Sequence, residues 1–260
     1  MNKNLYIKAV AAVAAFSLSH EAFAGARCAC PEKLTLGGEL AQNFSGNLQL
    51  DYVTNYTFRG QVLDSNPSFV PRLGVQYNLL NNVNLVASAE QVVSTRGSGL
   101  YRSQYDVGVA VSLGNWTITP GYQVVAFPHK DGVNTQYITG QLSYNDAGFL
   151  PIALNPSLTV AKGVDPKGGT WYEAGVAPKL TSGDLSVTVP VAAGWSSNSY
   201  FAGTGDGFSY AYASAGLAGE YRVTKSLALK GSVIGYTTDS KLQNKTNNFV
   251  TTSIGLSVDF

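Results

Sequence analysis

The sequence predicts an all-β protein, an antiparallel transmembrane β-barrel of twelve strands. Three observations predict this fold: long stretches of alternating apolar and polar residues, connections of two alternating lengths, and an unusual composition. Charged residues make up only 13% of the 260 residues, while aromatic residues reach 11%; soluble domains carry roughly 25% charged residues. The 17 basic and 16 acidic side chains leave no basic excess of the kind that nucleic-acid binding requires. We therefore expect a membrane protein without a nucleic-acid partner.

The N-terminus has the pattern of a secretory signal peptide. A lysine-containing start precedes an apolar run over residues 9–18, and residues 22–24 are Ala-Phe-Ala, a small-x-small cleavage site. The apolar run is too short for a helical anchor, which needs about 20 residues. We therefore expect a signal peptide over 1–24, a periplasmic or lumenal segment over 25–46, and the barrel over 47–260.

Two cysteines, Cys28 and Cys30, follow the expected cleavage site. Two thiols are too few for a structural zinc site, which takes four ligands. The residues before Cys28 also do not resemble a lipoprotein cleavage sequence. We expect an N-terminal tail whose thiols oxidise in an export compartment, and we expect no metal and no other cofactor.

The first alternating stretch extends from Asn47 to Arg59, with Leu48, Tyr52 and Phe58 among the residues on its apolar face. Soluble strands usually have about 5–6 residues, whereas this length suits a tilted strand that crosses a bilayer. The pattern returns eleven times along the chain. The later apolar faces begin at Phe69, Val83, Tyr105, Trp116, Ile138, Leu158, Tyr172, Leu185, Phe208, Leu227 and Ile254. Alternation changes phase between Phe208 and Tyr221, as a β-bulge would cause.

The connections alternate between short turns and long loops. The short turns are Leu79 to Asn82, Gly114-Asn115, Thr181 to Asp184 and Arg222 to Ser226, with Asn145 to Pro151 as a longer exception. The long loops are Gly60 to Ser68, Thr95 to Ser103, Pro128 to Asn134, Gly163 to Gly169, Ser196 to Gly207 and Thr237 to Asn248. Outer-membrane barrels have short periplasmic turns and long extracellular loops. Lipid offers no hydrogen bonds, so strands can cross it only in a closed barrel. We therefore expect the outer membrane of a Gram-negative bacterium.

The polar faces place charged side chains in the expected lumen. The predicted pore-lining residues are Asp51, Arg59, Arg72, Glu90, Asp106, Glu173 and Lys230. Mixed charges around a pore tune its selectivity, and this near balance predicts little ion preference. Alternatively, these charges pair with one another and fill the interior. Twelve strands lie between small, filled barrels and wide aqueous channels, so the residues leave both alternatives open.

The segment DYVTNYTFRGQ, residues 51–61, resembles the first strand of the TorF-type porin family. Tyr56, Phe58, Arg59 and Gly60 match the family's Tyr-x-Phe-Arg-Gly element. The terminal Phe260 resembles the signal that outer-membrane barrels present to the barrel-insertion machinery. The resemblance covers about eleven residues, and it implies an outer-membrane channel whose partners are outer-membrane lipid and that machinery.

The function we expect is a porin-like channel for passive diffusion of small polar solutes. The alternative is a non-conducting barrel that has a binding or structural role through its extracellular loops. We do not expect an enzyme, because His129 lies in a predicted turn without a serine nearby in sequence, and a hydrolase base must be positioned against its nucleophile. The glycine-rich residues 203–207 lack the Lys-Ser/Thr pair of a phosphate-binding loop.

Overall fold

The structure is a computed structural model that describes residues 43–96, 99–128, 133–147, 152–165, 168–197, 208–239 and 247–260. The predicted signal peptide, Cys28, Cys30, His129 and the glycine-rich residues 203–207 lie outside these residues. Within the described ranges, no helix is long and apolar enough to cross a membrane.

Sixteen β-strands make up the regular structure of the described residues. They are β1 (Phe44–Val53), β2 (Tyr56–Phe58), β3 (Gln61–Asp64), β4 (Ser68–Leu80), β5 (Val83–Ser94), β6 (Leu100–Leu113), β7 (Trp116–Phe127), β8 (Val133–Tyr144), β9 (Ser157–Asp165), β10 (Thr170–Val176), β11 (Lys179–Ser182), β12 (Leu185–Thr188), β13 (Val191–Ser197), β14 (Phe208–Arg222), β15 (Leu227–Thr238) and β16 (Asn248–Asp259). Fourteen of them form one sheet, while β2 and β3 form a separate hairpin.

The fourteen segments of the large sheet make twelve wall strands. β10 and β11 are one strand interrupted near Pro178, and β12 and β13 are one strand interrupted near Pro190. Proline has no backbone N–H, so it breaks a hydrogen-bonded ladder. The N–H of Val189 donates to the Pro178 carbonyl over 2.9 Å, which joins the two strands across the interruption.

The sheet closes because β1 pairs antiparallel with both β4 and β16. At the junction of β1 and β16, Asn47 lies opposite Asp259, and the Asn47 amide donates to the Asp259 carboxylate over 2.5 Å. Backbone bonds of 2.8 and 2.9 Å between Gly46 and Phe260 extend the pairing. This closure pairs the first wall strand with the last, as a sheet in a bilayer requires. The predicted fold class, a closed antiparallel barrel of twelve strands, is confirmed.

The wall has the predicted two faces. Apolar side chains on the outside are exposed, such as Leu48 at 49% and Ile254 at 66%. Polar side chains of the same strands, such as Gln49 and Ser257, are buried on the inside. The two-residue turns at Gly114-Asn115 and 183–184 occur where the sequence predicts short connections.

A β-bulge in β14 explains the predicted change of phase. Gly194 lies opposite Tyr212 and Trp195 lies opposite Tyr210, so Ala211 is an extra residue in β14. Ala211 and Tyr212 are both buried, which brings the Tyr212 ring to the inside. The missing side chain of Gly194 leaves room there for Tyr212 to stack on Trp171, with ring centroids 5.8 Å apart.

The predicted first strand is wrong beyond Val53. β1 ends there, and the expected extracellular loop from Gly60 to Ser68 contains β3 instead, paired with β2. Tyr56, expected to face lipid, is only 5% exposed inside the barrel. Alternation has the same period in a wall strand and in a hairpin, so the pattern could not distinguish them. We call Tyr56–Asp64 the lumen hairpin.

Candidate functional site in the barrel lumen

The lumen hairpin turns at Arg59-Gly60. Phe58 pairs with Gln61, and both turn residues have positive φ, 52° for Arg59 and 77° for Gly60. These values define a type I′ turn, whose twist suits two-residue hairpins and which favours Asn, Asp or Gly. An arginine in the left-handed region costs about 1–2 kcal/mol. The contacts of Arg59 must therefore stabilise this conformation.

The base of the hairpin is fixed to β5 and β6. The Tyr56 hydroxyl donates to Glu90 Oε1 over 2.5 Å. The Arg102 guanidinium donates both to the Tyr56 oxygen and to Glu90, the latter over 2.7 Å. The Tyr101 hydroxyl donates to the Leu63 carbonyl over 2.5 Å. A buried apolar cluster surrounds these bonds and consists of Val53, Tyr56, Val70 and Val92.

The tip of the hairpin contacts strands on other parts of the wall. Arg59 Nη2 donates to Gln123 Oε1 of β7 over 2.9 Å. Its guanidinium carbon lies 4.7 Å from the ring centroid of Tyr137 and 6.0 Å from that of Trp171, within cation–π range. Gly60 packs so closely on Tyr212 that an added Cβ would lie 2.6 Å from the Cβ of that tyrosine. We call Tyr137, Trp171 and Tyr212 the tip cluster.

A third set of bonds ties the start of the hairpin to β16. Asn55 donates to the Val250 carbonyl over 3.2 Å and accepts from the Thr251 hydroxyl over 2.5 Å. The hydroxyls of Thr57 and Thr251 lie 3.2 Å apart. The hairpin therefore reaches across the lumen, with attachments on β5, β6, β7, β8, β10, β14 and β16.

Charged side chains on neighbouring strands form a continuous polar belt inside the wall. Arg72 of β4 bonds both to Asp51 of β1 and to Glu90 of β5, the latter over 2.8 Å. Arg102 of β6 is fully buried and pairs with Glu90 over 2.7 Å. Arg72 lies directly opposite Glu90, whereas Asp51 and Arg102 are diagonal neighbours, two residues along from the positions opposite Arg72 and Glu90. These positions let acids and bases alternate around the lumen.

The belt continues in both directions from this centre. Asp106 accepts from Gln104 over 3.0 Å and from Gln123 over 2.6 Å, and Gln123 carries the belt to Arg59. On the other side, Lys230 donates to Gln49 over 3.3 Å and lies 3.8 Å from Glu220. We use the name lumen belt for Gln49, Asp51, Arg72, Glu90, Arg102, Gln104, Asp106, Gln123, Glu220 and Lys230.

The structure brings only some of the predicted pore-lining residues together. Asp51, Arg72 and Glu90 are in direct contact, while Asp106 and Lys230 join them through glutamines. Glu173 lies apart from them, beside the tip cluster, and accepts from the Tyr212 hydroxyl over 2.5 Å. Arg59 lies in the turn of the hairpin instead of on a wall strand, because β1 ends early. Their role in lining a pore stays a prediction.

Sequence reasoning missed Arg102, the most buried charge of the belt. The predicted loop Thr95 to Ser103 contains Arg102, but β6 begins at Leu100. A signal was present, since Arg102, Gln104 and Asp106 alternate in the phase of an inward face. Within the described residues, no group of three or more His, Cys, Asp or Glu could hold a metal ion.

Comparisons with known proteins agree with this architecture. No family model matches the chain, and no curated protein matches it. An outer-membrane channel from Pseudomonas putida F1 superposes with a TM-score of 0.55 at 12% identity, covering 84% of this chain and 95% of that one. The NanC porin superposes with a TM-score of 0.52 at 14% identity, covering 82% and 98%. Outer membrane phospholipase A from Escherichia coli matches with a TM-score of 0.47 at 13% identity, covering 82% and 92%. At these identities the likeness to the first two structures shows that the chain has the fold of outer-membrane barrels.

Proposed function

We propose that the protein is a porin-like channel of the bacterial outer membrane that passes small polar solutes by passive diffusion. The observation that carries the proposal is the closed barrel, apolar outside and lined inside by the lumen belt. The hairpin narrows this lumen, which limits passage to small solutes. Because acids and bases of the belt pair with one another, little net field remains to select strongly between ions.

We also propose that the chain is a TorF-type porin. The four residues that match the family's element form the first strand and the turn of the lumen hairpin: Tyr56, Phe58, Arg59 and Gly60. The element therefore has a structural role in the interior of the barrel. Outer-membrane lipid and the barrel-insertion machinery, contacted through Phe260, are the proposed partners. Replacing Phe260 with alanine should lower the amount of folded barrel in cells while leaving refolding into detergent unchanged.

Conductance across a planar bilayer tests the channel. The purified protein, shown to be folded by a heat-dependent shift in gel migration, should give discrete current steps. Sugars of increasing size in swelling proteoliposomes should show a sharp upper limit of permeation. Protein unfolded by boiling is the control. Folded protein that gives neither current steps nor swelling would overturn the proposal.

A second candidate function is a non-conducting barrel with a binding or structural role, and the lumen hairpin favours it. The hairpin is attached to several strands around the wall. Such attachments are expected of a plug and also of a constriction. A variant in which Gly-Ser residues replace 55–66 separates the two functions. If the native barrel is closed and this variant conducts, the hairpin is a plug. If both conduct, it is a constriction.

A further inference from the structure

The carboxylate of Asp106 is the end point of a hydrogen-bonded chain that starts at the tip of the lumen hairpin. Arg59 donates to Gln123 Oε1 over 2.9 Å, and Gln123 Nε2 donates to Asp106 Oδ1 over 2.6 Å. Gln123 is buried, so both ends of its amide need a partner within the protein. The amide has an arginine on its oxygen side and a carboxylate on its nitrogen side, which satisfies both ends.

A second chain reaches the other oxygen of the same carboxylate from the base of the hairpin. Arg102 donates to the Tyr56 hydroxyl oxygen and also to Gln104 Oε1. Gln104 is buried as well, and its Nε2 donates to Asp106 Oδ2 over 3.0 Å. The tip and the base of the hairpin are therefore connected through the two oxygens of one carboxylate.

Only a carboxylate at position 106 can complete both chains. Each of its oxygens accepts, whereas an asparagine amide presents one acceptor and one donor group. That donor group would face the donating Nε2 of one of the two glutamines. Turning this glutamine amide over would move the conflict to its arginine, because arginine donates and never accepts. The Ser88 hydroxyl, 3.4 Å from Asp106 Oδ2, can donate or accept and fits either case.

We propose that Asp106 is a positioning residue for the lumen hairpin: its carboxylate fixes the direction of the hydrogen bonds in both chains and thereby couples the attachment of the tip to that of the base. Other contacts hold the hairpin as well, including the bond of Tyr56 to Glu90 and the packing of Gly60 on Tyr212. Loss of the carboxylate should therefore loosen the hairpin without releasing it.

Moving the carboxylate along the tip chain tests this coupling. Asp106→Asn alone sets two donors against each other, and Gln123→Glu alone sets two carboxylates against each other. In the double variant Asp106→Asn/Gln123→Glu, the new amide donates to the new carboxylate and accepts from Gln104, while Arg59 keeps its acceptor. The negative charge stays near Arg59, with which Asp106 interacts electrostatically in the native protein. Net charge and side-chain size are also those of the native protein.

The experiment compares the native protein, the two single variants and the double variant by denaturant unfolding in micelles and by hydrogen exchange of the hairpin amides, residues 56–64. We expect each single variant to lower the equilibrium constant for folding about tenfold, because a buried polar group loses its partner. Hairpin protection should fall as well. The double variant should recover both properties to within about threefold of the native values, whereas independent effects would multiply to a loss of about a hundredfold.

The matched control is the exchange Asp165→Asn/Gln136→Glu. Gln136 donates to Asp165 over 3.4 Å, and Asp165 is exposed. Water can replace each lost bond there, so the two single changes should have small effects that multiply independently in the double variant. The control thus shows how a glutamine–aspartate pair behaves when its chain does not continue into the interior.

A second exchange, Asp106→Asn/Gln104→Glu, moves the carboxylate along the base chain and serves if the first double variant does not fold. Recovery in either double variant supports the inference, as does a double variant that folds where Asp106→Asn alone does not. No recovery in either double variant would overturn it, and so would single variants that match the native protein in stability and hairpin protection.

The consequence for permeation rests on the proposed channel. Because the hairpin lies in the lumen, Asp106→Asn should give noisier single-channel currents than the native protein, and Asp106→Asn/Gln123→Glu should restore the native traces. A native protein that never conducts would refute the proposed function, while unfolding and hydrogen exchange would still decide the role of Asp106.

Discussion

The hydroxyl of Tyr56 donates a 2.5 Å hydrogen bond to the carboxylate of Glu90, so a hairpin residue completes the coordination of a charged group on the wall. Glu90 also binds Arg72 and Arg102. The inner face of the wall and the lumen hairpin thus share one hydrogen-bonded network, and disturbing either one should affect the other.

Replacing Tyr56 with phenylalanine tests this connection. The ring would stay in its apolar cluster, but the buried carboxylate would lose one donor, and such losses cost about 1–3 kcal/mol. We expect a lower free energy of unfolding in detergent and noisier current traces. Tyr105→Phe, on the outward face of β6, is the control. Equal unfolding midpoints for the native protein and Tyr56→Phe would contradict the proposed coupling.

Glu90→Gln should be the most destabilising conservative change in the lumen belt. It would leave Arg72 and Arg102 with less compensating charge in a buried site, and breaking a buried ion pair typically costs 3–5 kcal/mol. Denaturant unfolding in micelles measures the change. Glu220→Gln is the matched control, because the Glu220 side chain is 28% exposed and pairs at 3.8 to 3.9 Å, which predicts a cost below about 1 kcal/mol. Similar costs for the two variants would refute the central role of Glu90.

Gly60→Ala should displace the hairpin tip. The new Cβ would meet Tyr212 at 2.6 Å in addition to the strain of a φ of 77°. Gly114→Ala provides the control, since Gly114 has a φ of 62° but no atom within 4 Å of an added Cβ. Both variants should show the backbone cost of about 1 kcal/mol. Only Gly60→Ala should change conductance, and an effect of equal size in Gly114→Ala would contradict the packing of the tip on Tyr212.

The connection between β8 and β9 should lose order in acid. Burial raises the pKa of Asp146, but the backbone N–H groups of Asn155 and Leu154, each 2.9 Å from its carboxylate, outweigh burial and lower the pKa. A carboxyl with a lowered pKa stabilises the folded state above its ordinary value of about 3.9 and loses this effect as pH falls through the folded value. The protection factors of the Leu154 and Asn155 amides against hydrogen exchange should therefore fall only below about pH 4.

The variant Asp146→Asn checks the assignment of this acid transition. It cannot titrate and accepts more weakly, so the protection factors of the same amides should be lower at neutral pH and nearly independent of pH. A transition that persists unchanged in this variant would have to come from another group.

Much of the wall follows from the sequence because lipid on one side and polar groups on the other impose period-two alternation. Two of the turns can also be predicted from local sequence, because Gly114 and Gly183 have a positive φ, which favours glycine. The lumen hairpin could not be predicted from local sequence patterns. Tyr56 and Phe58 continue the alternation of β1, and only the long-range bonds of Asn55 to β16 and of Tyr56 to β5 turn the chain inward. A contact between residues far apart in sequence does not change the local alternation of apolar and polar residues, so it cannot be predicted from that alternation.

The bonds from Asn55 and Thr57 to Thr251 cross the line where the first and last wall strands meet. β16 pairs with β1 through Ser253 to Asp259, and it holds the start of the hairpin through Val250 and Thr251. Any parting of β1 from β16 in a thinned or damaged bilayer would therefore strain these bonds as well, so the integrity of the wall and the position of the first residues of the hairpin are tied to a single junction.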